Sequence, residues 1–193
     1  MNPDIILPPY PGILLSHVHL VQSLQDAEQA LIALQNADVL GFDTESKPVF
    51  FKGQQSNGPH LIQLASDTQV FLFPILHAGQ TTTVVKALLE SPQILKVGFG
   101  LSDDHKRLHA KLGITPNHVL DLSKAMRENG AGDLGAKTAV AQFFGMRLQK
   151  SKKVSTSNWA ASPLNERQMK YAADDAQVAL LVYRKWLALK ALN

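Results

Sequence analysis

Apolar and polar positions change period along this chain, and each change marks an element. Leu24, Ala27, Leu31 and Leu34 recur at helical spacing behind Ser23 and Asp26, a serine and an acid three apart, which predicts a capped helix from Leu24 to Gln35. Before it, His17 to Val21 alternates as a strand does, and residues 1–15 read as an extended arm punctuated by proline. After it, the run Val39-Leu40-Gly41-Phe42 predicts a buried strand that ends in Asp43 and Glu45. Lys47 to Pro59 holds Pro48, Gly53, Asn57 and Gly58 and reads as a loop, followed by a hairpin of His60–Ala65 and Gln69–Phe73 around Ser66-Asp67-Thr68.

The second half alternates, then turns helical. A helix near Thr83–Glu90, a short buried strand Ile94–Val97, a helix Ser102–Lys111 stopped by Gly113, and a strand His118–Leu122 come in that order. Helices over Ser123–Glu128, Gly135–Phe144 and about Pro163–Leu192 complete the chain. Only Met146–Ala161, polar and basic, lacks an obvious element, and a stretch of that length inside a domain is usually functional or mobile. Hairpin strands, then alternating elements, then helices predict an α/β class with a mixed sheet covered by helices. No repeat or low-complexity segment interrupts it.

Composition narrows the chemistry. With 193 residues, 45% apolar and 18% charged, one ordinary globular domain is the simplest reading. The absence of cysteine excludes disulfides, thiolate nucleophiles and cysteine zinc sites. Asp4 and Pro8-Pro9 interrupt the N-terminus, so neither a signal peptide nor a membrane span is read there, and a cytoplasmic protein is expected. The charge of +3 leans towards an anionic partner, with Arg147, Lys150, Lys152 and Lys153 in one group and Lys106, Arg107 and Lys111 in another. A charge run is also the ordinary composition of a solvated face.

Acidic positions carry the candidate chemistry. Asp43 and Glu45 project from the same face of one strand, where two anions repel unless protonated, hydrogen-bonded or bridged by a cation. Asp103-Asp104 comes after the strand and turn Lys96-Val97-Gly98-Phe99-Gly100-Leu101-Ser102, where either could cap the helix. Tyr171 and Asp175 are four apart and share a helical face, although two adjacent aspartates, Asp174 and Asp175, suit a helix interior poorly. Gly98-x-Gly100 is half a dinucleotide fingerprint, but an aspartate stands at the third glycine. His105 and His109 are four apart with Lys106 and Arg107 between them, and read as a solvent-facing pair rather than a zinc site.

Together these blocks resemble the tyrosine subgroup (DEDDy) of the DEDD-superfamily 3′–5′ exonucleases, similar to ribonuclease D and the Werner-syndrome exonuclease domain. The resemblance covers roughly residues 16–190. It rests on Phe42-Asp43-Thr44-Glu45, Leu61-Ile62-Gln63-Leu64, Val97-Gly98-Phe99-Gly100, Ser157-Asn158-Trp159, and the helix from Leu164 through Tyr171-Ala172-Ala173-Asp174-Asp175. It implies a ribonuclease H-like fold with a five-stranded mixed sheet, residues 16–193 forming the exonuclease domain.

The resemblance also implies two divalent cations, magnesium or manganese, held by Asp43, Glu45, Asp104 and Asp175, with Asp43 bridging both. Glu45 and Asp175 would hold the cation nearest the attacking water, Asp104 the other, and Tyr171 would orient the water as a nucleoside 5′-monophosphate is released. Family spacing selects Asp104 over Asp103 and Asp175 over Asp174. Candidate substrate contacts are Thr44, Phe99, Lys150, Lys152, Lys153 and Trp159, although a large aromatic before a helix is more often core. The partner expected is a 3′ end of DNA or RNA, with no membrane. The sequence ends eighteen residues after Asp175, so a stand-alone exonuclease domain is expected rather than one followed by helical domains. A catalytically silent nucleic-acid- or protein-binding module on the same scaffold is the alternative.

Overall fold

A computed structural model describes residues 6–49, 56–127 and 132–192. The first five residues of the predicted arm, residues 50–55 of the predicted loop, and Glu128 lie outside the described residues. Six strands form one sheet: β1 (Val18–Leu20), β2 (Val39–Glu45), β3 (Leu61–Ala65), β4 (Val70–Pro74), β5 (Leu95–Gly98) and β6 (Val119–Asp121), in the order β1-β4-β3-β2-β5-β6. β3 runs antiparallel to β2 and β4, and every other pairing is parallel. Six strands therefore replace the five implied by the resemblance, in line with the six runs of strand-like periodicity. The short β1 joins an edge because Val18, His19 and Leu20 pair with Val70, Phe71 and Leu72.

Alternation divides β2 between two layers. Leu40 and Phe42 join Ile62, Leu64, Phe71 and Phe73 in a core covered by α1 (Leu24–Leu34), α2 (Ala78–Glu90) and α3 (Ser102–Leu112). On the opposite face Val39, Leu61, Ala65 and Leu72 pack under α5 (Ala136–Phe144) and α7 (Glu166–Lys190). Ser23 and Asp26 make the predicted capping box on α1, and Asn165 with Gln168 makes a second one that starts α7. A single turn, α4 (Leu122–Ala125), comes after β6, shorter than its apolar pattern suggested.

The helix α7 lies unusually close to the sheet. Ala172, Ala173 and Ala176 present no bulk, and at Gly41 on β2 an added Cβ would stand 2.0 Å from the Ala176 carbonyl oxygen. That approach brings the middle of α7 against the end of β2. The segment without an evident element contains one helical turn, α6 (Lys152–Ser155), and a strap before it that pairs with the arm. Tyr10 N–H donates to Arg147 O (3.0 Å) and Arg147 N–H to Pro8 O (2.8 Å). Among the described residues no helix is long and apolar enough to cross a membrane.

Candidate active site

Three acids meet where β2 runs out beneath α7. Asp43, Glu45 and Asp175 each offer a carboxylate oxygen, and the three oxygens lie within 4.8 Å of one another, the one such group of potential metal-binding side chains among the described residues. The local reasons are plain: i and i+2 on a strand share a face, and the alanine side of α7 lets Asp175 descend onto it. Asp175 is 6% exposed, while Asp43 and Glu45 are half-buried.

Such crowding penalises negative charge. Burial raises Asp43 well above the carboxylate range, and Asp175 and Asp104 add to the effect. Burial, then Asp43 and Asp175, push Glu45 up to about 9. Asp175 rises only to about 6, because burial is opposed by Lys150, whose Nζ stands 2.9 Å from its Oδ2. The same ammonium lies 5.5 Å from the Tyr171 ring centroid. Burial and the Asp175 charge hold the Tyr171 phenol up at about 12.

Asp104 belongs to the other layer. It sits in the first turn of α3, buried, and Thr44 Oγ1, on the opposite side of β2 from Asp43, donates a short hydrogen bond to its Oδ1. The four acids are thus three plus one: Asp104 is near enough to raise Asp43 and Glu45 yet lies outside their close group. Neither Asp103 nor Asp104 caps α3; Leu101 is the N-cap, and Asp121 receives the N–H groups of Gly100 (2.9 Å) and Leu101 (3.2 Å). Asp121 therefore shapes the turn that carries Asp104. It escaped the sequence reading because a strand-ending aspartate reads as the cap of the next helix, which it also is.

The other candidates scatter. Thr44 spends its hydroxyl on Asp104 and its N–H on Asp43 Oδ1 (2.8 Å), so it holds acids. Trp159 is 1% exposed, donates Nε1–H to Ser155 O (3.0 Å) and packs 5.9 Å from the Tyr171 ring, so of its two readings the structure bears out core and not base stacking. Phe99 is half-buried against the core containing Val97 and Leu122. Lys152 and Lys153 are exposed on α6, whereas Lys150 turns into the acids, so the basic run splits between two environments. His109 is exposed but His105 is half-buried, so they are not the solvent-facing pair expected.

Two further residues were missed. Asp174 faces away from the trio, accepting from Ile13 N–H (2.9 Å) and Lys170 Nζ (2.8 Å), and so ties the arm to α7. The arm turns there at Gly12, φ +63°, where a Cβ would lie 2.2 Å from Asp174 Oδ1. Gln63 stands directly across the ladder from Asp43, fully buried, with neither amide atom hydrogen-bonded. Two open depressions flank the strap. One, about 520 Å³, is lined by Lys137, Arg147 and Lys150, and the other, about 590 Å³, by Lys153, Arg167, Lys170 and Tyr171.

Comparison with known proteins places this geometry. The sequence matches the 3′-5′ exonuclease family over residues 18–188. The chain belongs to that family. This exonuclease is 30% identical over 161 residues to the mouse bifunctional 3′-5′ exonuclease/ATP-dependent helicase WRN, covering 82% of this chain and 12% of that protein. It is 27% identical over 168 residues to ribonuclease D of Gluconacetobacter diazotrophicus, covering 86% of this chain and 41% of the relative. It therefore spans only a minor part of either relative's length. The solved Aedes aegypti Nibbler EXO domain superposes with a TM-score of 0.79 at 25% identity, covering 94% of this chain and 92% of that one. Escherichia coli RNase D superposes at 0.75 and 24% identity, covering 90% and 45% respectively, a likeness of fold. The ribonuclease H-like architecture is established by these likenesses.

Proposed function

We propose that this domain is a metal-dependent 3′–5′ exonuclease of the tyrosine subgroup, which hydrolyses phosphodiesters from the 3′ end of DNA or RNA with two divalent cations and releases nucleoside 5′-monophosphates. The observation that carries the reading is the carboxylate trio, oxygens within 4.8 Å, beside a phenol four residues from one of its members. The donor set suits magnesium or manganese: oxygen-only, anionic, and, among the described residues, with one ammonium paired against three carboxylates.

Asp43, Glu45 and Asp175 would hold one cation, and Asp43 with Asp104 the second. When bound, such cations supply Lewis-acid neutralisation of the phosphate and lower the cost of deprotonating water. The chain's residues do the rest. Gly41 and the alanines of α7 set the separation between Asp43 and Asp175. The Tyr171 phenol, held up at about 12 by burial and the Asp175 charge, would donate a hydrogen bond that orients the attacking water. Trp159 and Ser155 back that ring, and Gln168 Nε2 ties the segment to α7 through Ser157 Oγ (3.0 Å) and Asn158 O (3.2 Å).

Substrate binding would draw on the depressions beside the strap, where Lys137, Arg147 and Lys153 would meet backbone phosphates, on the exposed Lys152, and on Phe99 against the terminal base. The solved Trypanosoma brucei RNase D in complex with RNA U12, which shares this fold at 24% identity, supports placing RNA among the substrates. A 5′-labelled oligonucleotide, as matched DNA and RNA, single-stranded and duplex, tests the reading with magnesium or manganese. We expect a shortening ladder that Asp43→Ala slows about a thousandfold. A gel shift without shortening would indicate the silent binding module, and equal shortening by the Asp43 variant would place the chemistry elsewhere.

A further inference from the structure

We propose that Lys150 is the resident counter-ion of this site: its ammonium occupies the position on Asp175 that the first divalent cation must take, so cation uptake and phosphate binding are coupled through its release. The inference rests on the exonuclease reading and adds a loading order to it. Three observations support it. Lys150 Nζ is bonded to Asp175 Oδ2, one of the two oxygens through which that residue could join the trio. The pair is enclosed, with side-chain exposures of 27% and 5%, so little water screens it. The ammonium is also steadied by the Tyr171 ring.

Charge balance sets the order of loading. With all three acids ionised, the ammonium leaves the trio two charges short of neutrality, enough to attract a dication. A dication and an ammonium on the same carboxylate repel, so each weakens the binding of the other. The ammonium sits on the strap, three residues beyond Arg147, whose backbone is pinned to the arm on both sides. Its release is therefore a swing of the Lys150 stem, and an incoming phosphate in the adjoining depression is the anion that would receive it. A ligand that gives the displaced charge a partner strengthens cation binding, and by reciprocity the cation strengthens binding of that ligand.

Calorimetric titration of the full chain with manganese alone, and with manganese in saturating adenosine 5′-monophosphate, tests this against Lys150→Met and Lys150→Arg. Without nucleotide, the methionine variant should bind manganese about tenfold tighter than the wild type, the scale of one charge-assisted hydrogen bond removed as competitor. Nucleotide should tighten manganese binding more in the wild type and in Lys150→Arg than in Lys150→Met, where only direct contact between phosphate and ion remains. In EDTA, Lys150→Met should melt at a lower temperature than the wild type, and manganese should raise its melting temperature by the larger amount. That comparison decides the matter even if the variant is unstable. Equal manganese affinity, equal nucleotide response and equal melting shifts in wild type and Lys150→Met would overturn the inference while shortening of oligonucleotides left the exonuclease reading standing. Absence of manganese binding together with absence of shortening would overturn both.

Discussion

The two faces of β2 treat their acids differently. On the α7 face, Asp43, Glu45 and Asp175 crowd together with one ammonium among them, and burial drives Asp43 and Glu45 towards the protonated form. On the α3 face, Asp104 stands apart from that group, takes a neutral hydroxyl from Thr44, and is raised by burial while that hydrogen bond and Arg107 oppose the rise. One face is a crowded acidic cluster with an ammonium against it. The other is a hydrogen-bonded acid held in reserve one strand-thickness away. Thr44, between the two strand acids, links the faces, with its hydroxyl on Asp104 and its N–H on Asp43 Oδ1.

The contrast is broken most severely at Gly41. Alanine there sets a Cβ against the Ala176 carbonyl, and because backbone must yield, Gly41→Ala should cost about 3 kcal/mol. It should also abolish most turnover by lifting Asp175 from Asp43, while Asp104 and its partner stay in place. Thermal melting with a parallel shortening assay measures both; normal activity in a destabilised protein would mean the α7 spacing does not matter.

Thr44→Val tests the opposite face. Losing the donor to buried Asp104 should cost about 1–2 kcal/mol and slow shortening by roughly tenfold, with manganese affinity of the trio nearly unchanged. A fall in manganese affinity as large as that from Asp175→Ala would show that the faces act as one.

The third prediction is a slope. In EDTA the folded chain keeps the Glu45 proton until about 9, whereas the unfolded chain releases it near 4.5. Between those values the folded state binds more protons, so stability should fall as pH rises across the window. Manganese should flatten or reverse that slope, because the cation favours the ionised acids. Denaturant midpoints from pH 5 to 9, with and without manganese, give the comparison.

Much of the fold and the site was legible in the residues. An apolar run ending in Asp43 and Glu45 reads as a strand with its acids at one end, and Tyr171 four before Asp175 shares a helical face once the segment is a helix. The α1 cap was readable because its bonds are local. The features that stayed hidden depend on long-range packing. That Thr44 would meet Asp104 is decided by which layer α3 occupies, and α3 lies sixty residues away in sequence. Asp174 looked redundant until the arm, 161 residues distant, closed upon it. Lys150 and Lys153 are the same residue type three positions apart, and only the strap's pairing with the arm distinguishes the ammonium aimed inward from the one in solvent.

Crystals of the full chain soaked in manganese and measured at the manganese absorption edge address the central claim most directly. The account predicts an anomalous peak bounded by carboxylate oxygens of Asp43, Glu45 and Asp175, with the Lys150 ammonium moved off Asp175. Manganese bound only elsewhere, with the Lys150–Asp175 pair intact at saturating ion, would contradict it.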